Sequence, residues 1–448
     1  MNLFKKDREK SIIKSKEIIQ KEKEKIKEER KKMKQEKKKT FQWHGLKKRN
    51  PLSNDTASFR KKETKKKILM MIYFEILGAV ICLLVLFLLS GGKNFIKLYS
   101  DLQKVINVYD TITKDYYGKV DKKKLVDQAV EAMLTEAGDS YTTYSNKKDT
   151  TNFLETVNGT YEGIGCMISM DNDNNIVVIS VFDDGPAKKA GLQEKDIITQ
   201  VDGKDYSNKT SNDLSEYVKN SKKNTVELTI KRGNDVKKIT IKRNKVEVPS
   251  VTSKVIEQET KKIGYIDISV FSSVTYEQFK NQLTSLEKKG IQALIIDVRN
   301  DSGGYLNSVT DISSLFLKKG KVIYQLQDSN KTEVIKDKTK EYRSYPIAVL
   351  VNAASASASE ILASAIKESY GGLVVGTKTY GKGTVQKTKK LSDGTMIKYT
   401  VEKWLTPKGN WINKEGVEPT NPVAYEIKDG HDLQLQTATD LLVDKIKK

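Results

Sequence analysis

Residues 345–386 read YPIAVLVNAASASASEILASAIKESYGGLVVGTKTYGKGTVQ. The apolar run 346–352, opened by a proline, carries the signature of a buried strand. Small residues fill Ala353–Ser359, and Glu360–Lys367 then shows helical spacing. A Gly371-Gly372 break leads into a second apolar strand, Leu373–Gly376, and on to a lysine between glycines, Gly381-Lys382-Gly383. A strand feeding a helix through small serines puts a hydroxyl at a helix N-terminus, where free N–H groups can stabilise an oxyanion.

Chain length then returns the lysine to that hydroxyl. A helix from about 357 to 370 rises roughly 20 Å at ~1.5 Å per residue. The extended return from 372 to about 378 covers a similar distance at ~3.3 Å per residue. With strand and helix antiparallel, Lys382 arrives near the start of the helix, and its flanking glycines permit close backbone approach. A serine–lysine pair follows. The chain has only two histidines, His44 and His431. His44 precedes a long apolar span, so a Ser-His-Asp arrangement would have to use His431. A lysine made neutral by burial is the available base.

The paired motifs VNAASASASEI and GTKTYGKGTVQ resemble the active-site signature of the carboxyl-terminal processing peptidases, or tail-specific proteases. The resemblance runs from about residue 100 to the C-terminus. It implies that Ser357, the middle serine, is the nucleophile and that Lys382, 25 positions later, is the base. Gln386, four residues further, would be the third member and orient the lysine. Ser355 and Ser359 are then capping or packing serines. The Val298–Gly304 segment resembles the family's L-R-x-N-P-G-G turn, with Ser302 where proline is usual. The resemblance gives the oxyanion hole to the amides of Ala358 and of Gly303 or Gly304. Ala353-Ala354 also depart from the family pattern, and altered packing or regulation is expected there. The implied fold is an α/β (α+β) multidomain one, with a mixed-sheet ClpP/crotonase-like peptidase core.

The net charge of +22 is unevenly spread. Residues 1–67 hold 26 Lys/Arg against 10 Asp/Glu, whereas the other 381 residues hold 54 against 48. Residues 5–39 are Lys/Glu-rich with i, i+4 pairs such as Glu17/Lys21 and no apolar stripe, so a solvated arm is expected. Anionic lipid headgroups would suit it better than nucleic acid, and nothing in it reads bases. Residues 68–89 contain one charge, Glu75, and at ~1.5 Å per residue would span roughly 33 Å, enough to cross a bilayer. A cleaved signal would have a shorter apolar core and a small-residue site. Five lysines at 61–67 precede the span and Lys93 follows it, which puts the N-terminus in the cytoplasm and the rest outside. Of the two cysteines, Cys82 lies in the span and Cys166 far downstream, so topology excludes an internal disulfide and both are expected to be structural.

Beyond the span, residues 100–157 show helical spacing, and Asp139–Tyr144 resembles the family's D-P-Y-S-x-Y segment, with Ser140 for proline. Residues 159–245 change to short β-rich runs that resemble a PDZ domain. Its carboxylate-receiving loop would be Gly163, Ile164, Gly165, Cys166 and Met167, where successive N–H groups hold a peptide terminus and the peptide adds as an edge strand.

The expected organisation is a basic cytoplasmic arm (1–67), a transmembrane helix (68–90), a helical dimerisation segment (95–157), a PDZ domain (158–245), a peptidase core (246–430) and a C-terminal helix (431–448). The expected function is that of a single-pass cell-membrane serine endopeptidase needing neither metal nor organic cofactor. It would take exported proteins by their C-terminal tails, as a homodimer, and bind no specific nucleic acid. A catalytically silent PDZ scaffold and a ligand-binding module on the same core fold are the rivals, and Ser357, Lys382 and Gln386 weigh against both.

Overall fold

The computed structural model describes residues 55–89 and 95–447, so most of the basic arm lies outside the described residues. Two compact units divide between Lys119 and Val120. In the first, Asp55–Leu89 is one continuous helix. Its stretch Glu63–Leu88 is the one helix among the described residues long and apolar enough to cross a membrane, and none of its side chains is buried. A second helix, Phe95–Asp115, leaves Leu102, Val105, Ile106 and Val108 exposed.

The second unit begins with helices Lys122–Thr135 and Lys147–Asn158, joined through a short strand, Thr143–Ser145. That strand interrupts what reads as helical spacing. The cause is Asp139, whose carboxylate accepts the amides of Tyr141 and Thr142 and holds the chain in a turn.

A six-stranded antiparallel sheet follows, in the order Cys166–Met170, Ile176–Val181, Ile197–Val201, Thr225–Arg232 and Asp235–Lys242, with Lys204–Asp205 pairing Ile197–Val201 off that path. Alternation drives it: Val226, Leu228 and Ile230 point inward and are wholly buried. Helix Ser211–Asn220 covers it with Leu214 and Val218. Thr210 and Asp213 cap that helix reciprocally, each side chain taking the other's backbone N–H. Cys166–Met170 forms an outer edge of this sheet and is paired on one side only.

The core sheet has six strands, ordered Val251–Gln258, Lys261–Ile268, Ala293–Asp297, Ile347–Val351, Leu373–Gly376 and Asn421–Pro422. The first pair is antiparallel and the others are parallel. Continuous apolar runs arise because both faces are covered. Leu294, Ile296, Val349 and Val351 face helices Thr275–Lys288, Leu306–Ser314 and Ala358–Ala365. Ala293, Ile295, Ala348 and Leu350 face the C-terminal helix Leu433–Lys447. Each fully buried Leu, Ile or Val contributes about 1.5–3 kcal/mol.

Register aligns Asp267, Asp297, Leu350 and Val375 across the parallel strands. The segments that leave their carboxyl ends therefore collect at one edge of the sheet, where ligand sites of open α/β sheets lie. Arg299 ties that edge to the C-terminal helix, pairing with Asp297 at 2.6 Å and Asp432 at 2.7 Å. A second, five-stranded sheet contains Thr384–Lys390, Met396–Leu405, Val322–Gln327, Thr332–Lys336 and Thr143–Ser145.

The helix expected over 357–370 is α-helical only from Ala358 to Ala365 and widens to a π turn over Ile366–Tyr370. Side-chain anchors hold that turn outward: Ser369 Oγ donates to the Val322 carbonyl and Tyr370 Oη to the Tyr345 carbonyl. Gly371, at φ 85°, closes it.

Candidate active site

Ser357 stands just before the first turn of helix Ala358–Ala365, with φ 55° and ψ −111°. A non-glycine residue held there is strained by about 1–3 kcal/mol, and such strain persists where surroundings over-determine the turn. They do here. Ser355 Oγ donates to the Val298 carbonyl at 2.7 Å, and Ser359 Oγ donates to the Asp301 carbonyl at 2.9 Å. That carbonyl also takes the Ala356 N–H at 3.0 Å. Ser355 and Ser359 are wholly buried and Ser357 is only half-buried, so the flanking serines pack and the middle one faces outward.

Glu360, a residue that motif reading passed over, organises the site. It is wholly buried, and its carboxylate accepts four hydrogens. Oε1 takes the Thr379 hydroxyl at 2.6 Å and the Gly381 N–H at 2.7 Å. Oε2 takes the Ser357 N–H at 2.8 Å and the Lys382 N–H at 2.9 Å. The acidic residue three positions after Ser357, at the helix N-terminus, was the available signal.

Lys382 is further fixed by its carbonyl, which accepts the Trp404 indole N–H at 2.7 Å. Its glycine flanks are needed: a Cβ on Gly381, at φ 88°, would lie 2.9 Å from the amide nitrogens of Glu415 and Gly416. The ammonium sits 5.0 Å from the ring centroid of Tyr141 and has no hydrogen-bond partner among the described residues. Burial lowers its pKa, Lys398 adds to the fall, and Glu360 opposes it. Tyr141 is the second contact that motif reading passed over; it lies inside the Asp139–Tyr144 segment.

Gln386 does not bond Lys382. Its amide donates to Thr384 Oγ1 at 2.9 Å and Thr400 Oγ1 at 3.2 Å, and the Thr400 hydroxyl donates to Asp139.

The glycine turn lies directly behind the serine. A Cβ on Gly303, at φ 94°, would fall 2.6 Å from the Ala356 oxygen and 2.8 Å from the Ala358 nitrogen. On Gly304, at φ 143°, it would fall 2.0 Å from the Phe271 oxygen. The Gly303 N–H is already donated to Asp301 Oδ1 at 2.8 Å. No protein acceptor takes the N–H of Gly304 or Ala358 among the described residues. Asp301 itself is wholly buried, and its Oδ2 has no partner. Burial pushes its pKa up to about 7, against the pull of the Gly303 amide.

Gly163–Met167 runs from a buried loop into the free-edge strand. Between that strand and helix Ser211–Asn220 lies a cavity of about 560 Å³, walled by Tyr161, Ile164, Ile168, Leu214 and Val218. Cys166 also lines it, and burial pushes its thiol pKa up to about 12, consistent with an unreactive residue. No group of three or more His, Cys, Asp or Glu able to hold a metal occurs among the described residues.

Residues 262–423 match Peptidase family S41, residues 163–242 match the PDZ domain, and residues 89–150 match the Activating protease CtpB N-terminal domain. A curated relative from Staphylococcus aureus (strain COL), named "Probable CtpA-like serine protease", is 38% identical over 323 residues. The match covers 71% of this chain and 64% of that protein, so the chain spans under two thirds of that relative's length. The like-named protein of Staphylococcus haemolyticus (strain JCSC1435) is 36% identical, covering 72% and 65%. Among solved structures, the photosystem II D1 C-terminal processing protease is 26% identical, with a TM-score of 0.45, covering 78% of this chain and 91% of that one. The chain thus carries a peptidase family S41 domain at 262–423, with a PDZ domain ahead of it at 163–242.

Proposed function

We propose that the protein is a serine endopeptidase in which Ser357 is the nucleophile and Lys382 the general base. The observation that carries this reading is the shared Glu360 carboxylate, which clamps the serine turn and the Gly-Lys-Gly turn to each other. Ser357 Oγ attacks the scissile carbonyl carbon while its proton passes to the neutral Lys382 amine. The tetrahedral oxyanion is received by the free amides of Gly304 and Ala358, with Gly303 serving the turn. Collapse expels the amine, which takes the proton from Lys382 and leaves an acyl-enzyme. Water then attacks that ester, again losing its proton to Lys382, and the Ser357 hydroxyl is restored. Gln386 acts on this centre through Thr400 and Asp139, whose carboxylate holds the turn that carries Tyr141.

The PDZ groove takes the C-terminal tails of protein substrates by strand addition to Cys166–Met170. The apolar helix anchors the protein in the cell membrane once, and the lysines ahead of it keep the N-terminus cytoplasmic. The helical segment 95–157 serves dimerisation, ahead of a PDZ domain at 158–245, a core at 246–430 and a C-terminal helix at 431–448.

The test incubates the detergent-solubilised full chain, and its Ser357→Ala and Lys382→Ala forms, with an unfolded protein ending in a small apolar tail. Cleavage by the unsubstituted protein alone is expected. Cleavage surviving in Ser357→Ala overturns the assignment of the nucleophile.

A further inference from the structure

Resting on the reading of Lys382 as the general base, we infer that the ring of Tyr141 is the resting seat of the Lys382 ammonium. It holds the protonated lysine and lets the neutral amine go to Ser357, which makes Tyr141 a positioning residue of the reaction. The ammonium nitrogen lies 5.0 Å from the centre of that ring, inside the ~6 Å reach of a cation–π contact. It donates to no oxygen among the described residues, Ser357 Oγ included. Both oxygens of the Glu360 carboxylate are already taken, by the Thr379 hydroxyl and three backbone N–H groups.

Lysine and ring are set against each other by one strand, Met396–Leu405. Near its end, the Trp404 indole N–H donates to the Lys382 carbonyl at 2.7 Å, while Glu360 takes the Lys382 N–H at 2.9 Å. The lysine backbone is therefore fixed and only its side chain can swing. Earlier in the strand, the Thr400 N–H donates to Thr142 Oγ1 at 3.2 Å, and the Thr400 hydroxyl donates to Asp139 Oδ1 at 3.1 Å. Asp139 in turn takes the Tyr141 N–H at 2.8 Å, and Thr143 pairs with Lys398 of the same strand. The turn that carries the ring is thus held as firmly as the lysine backbone.

A π-face attracts a cation and has no such hold on an uncharged amine. The seat therefore keeps the ammonium and releases the lysine once its proton has gone to water, free to rotate to Ser357 Oγ and take the proton there. The charged and titratable groups around amine and ring are Lys398, Glu360, Asp139 and Tyr380. Burial holds the lysine pKa down, Lys398 lowers it further, and Glu360 raises it. The ring acts with Glu360, on the side of the ammonium, and so opposes the burial that lets Lys382 serve as a base. Taking the π-face away at similar volume lowers the lysine pKa.

The experiment records kcat/KM against pH for the full chain in detergent, cleaving an unfolded protein with a small apolar tail. The unsubstituted protein is compared with Tyr141→Phe, Tyr141→Leu and Tyr141→Met. Tyr141→Phe keeps the π-face and should leave the rising limb where it is. Tyr141→Leu and Tyr141→Met keep most of the bulk and lose the π-face, and their limbs should move to lower pH by about half a unit to one unit. A ring that merely packs would lower kcat at every pH without moving the limb. An unmoved limb in a folded ring-free form, or one moved to higher pH, overturns the seat. So does an equal movement in Tyr141→Phe, since the hydroxyl would then be the group that acts. Cleavage surviving in Lys382→Ala overturns the reading of the lysine as base, and the seat with it.

Discussion

The backbone N–H groups of Ser357 and Lys382 converge on one oxygen, Oε2 of Glu360, at 2.8 and 2.9 Å. Two turns 25 residues apart are thereby held in register by a single buried carboxylate. Glu360→Gln keeps the volume but turns one end of the group into a donor facing N–H groups. Leaving buried donors unpaired costs about 1–3 kcal/mol. The expected result is a lower melting temperature and a fall in kcat of tenfold or more with little change in KM, since the loss falls on the alignment of the reacting groups. A Glu360→Gln protein with unchanged kcat would remove the clamp from the mechanism.

On the proposed mechanism, Lys382 sets the pH dependence. Burial, with Lys398 beside it, holds its pKa below the usual lysine value, which favours the neutral amine. Because the base works unprotonated, kcat/KM should rise with pH along a limb whose midpoint lies below 10.5, the ordinary lysine pKa. Lys398→Ala removes a neighbouring positive charge and should move that limb to higher pH. An unmoved limb would show that another group titrates.

The core strands and the serine–lysine spacing were legible in the sequence because buried parallel strands leave apolar runs, and Pro346 and Gly371-Gly372 mark where they begin and end. The loop ahead of the free-edge strand Cys166–Met170 was legible through Gly163 and Gly165, which break the apolar run. What stayed hidden was polar and non-local. Glu360 reads as an ordinary helix-start residue until the fold brings Thr379, Gly381 and Lys382 onto it. Tyr141 reads as part of a turn until Lys382 is placed over its ring. The commitment of the Gly303 amide to Asp301 depends on backbone angles that no residue spacing encodes.

Gly303 has no room for a side chain. A Cβ there would press on the Ala356 oxygen and the Ala358 nitrogen while the backbone stayed at φ 94°. Gly303→Ala should therefore push the turn, and the Gly304 amide with it, away from Ser357 and lower kcat by about a hundredfold or more, as loss of one oxyanion donor does. Gly191→Ala, also at positive φ but with nothing within 4 Å of its Cβ, controls for backbone strain alone. Equal losses in the two variants would leave no special place for Gly303.

Asp301 gives a stability prediction with a definite sign. Its folded pKa of about 7 lies above the ordinary 3.8. Between those values the folded protein keeps the proton while the unfolded chain has lost it, so the unfolded state binds fewer protons and stability falls as pH rises. The contribution is fully present below about pH 4 and gone above about pH 7, a loss on the order of 2–4 kcal/mol. Asp301→Asn stays neutral throughout and keeps an oxygen for the Gly303 N–H. Its melting temperature should thus fall less than that of the unsubstituted protein between pH 4 and 7 and exceed it at pH 8. Parallel melting curves across that range would mean that the buried carboxyl ionises in the folded protein as readily as in the unfolded chain, and that its unpartnered Oδ2 costs the fold nothing when charged.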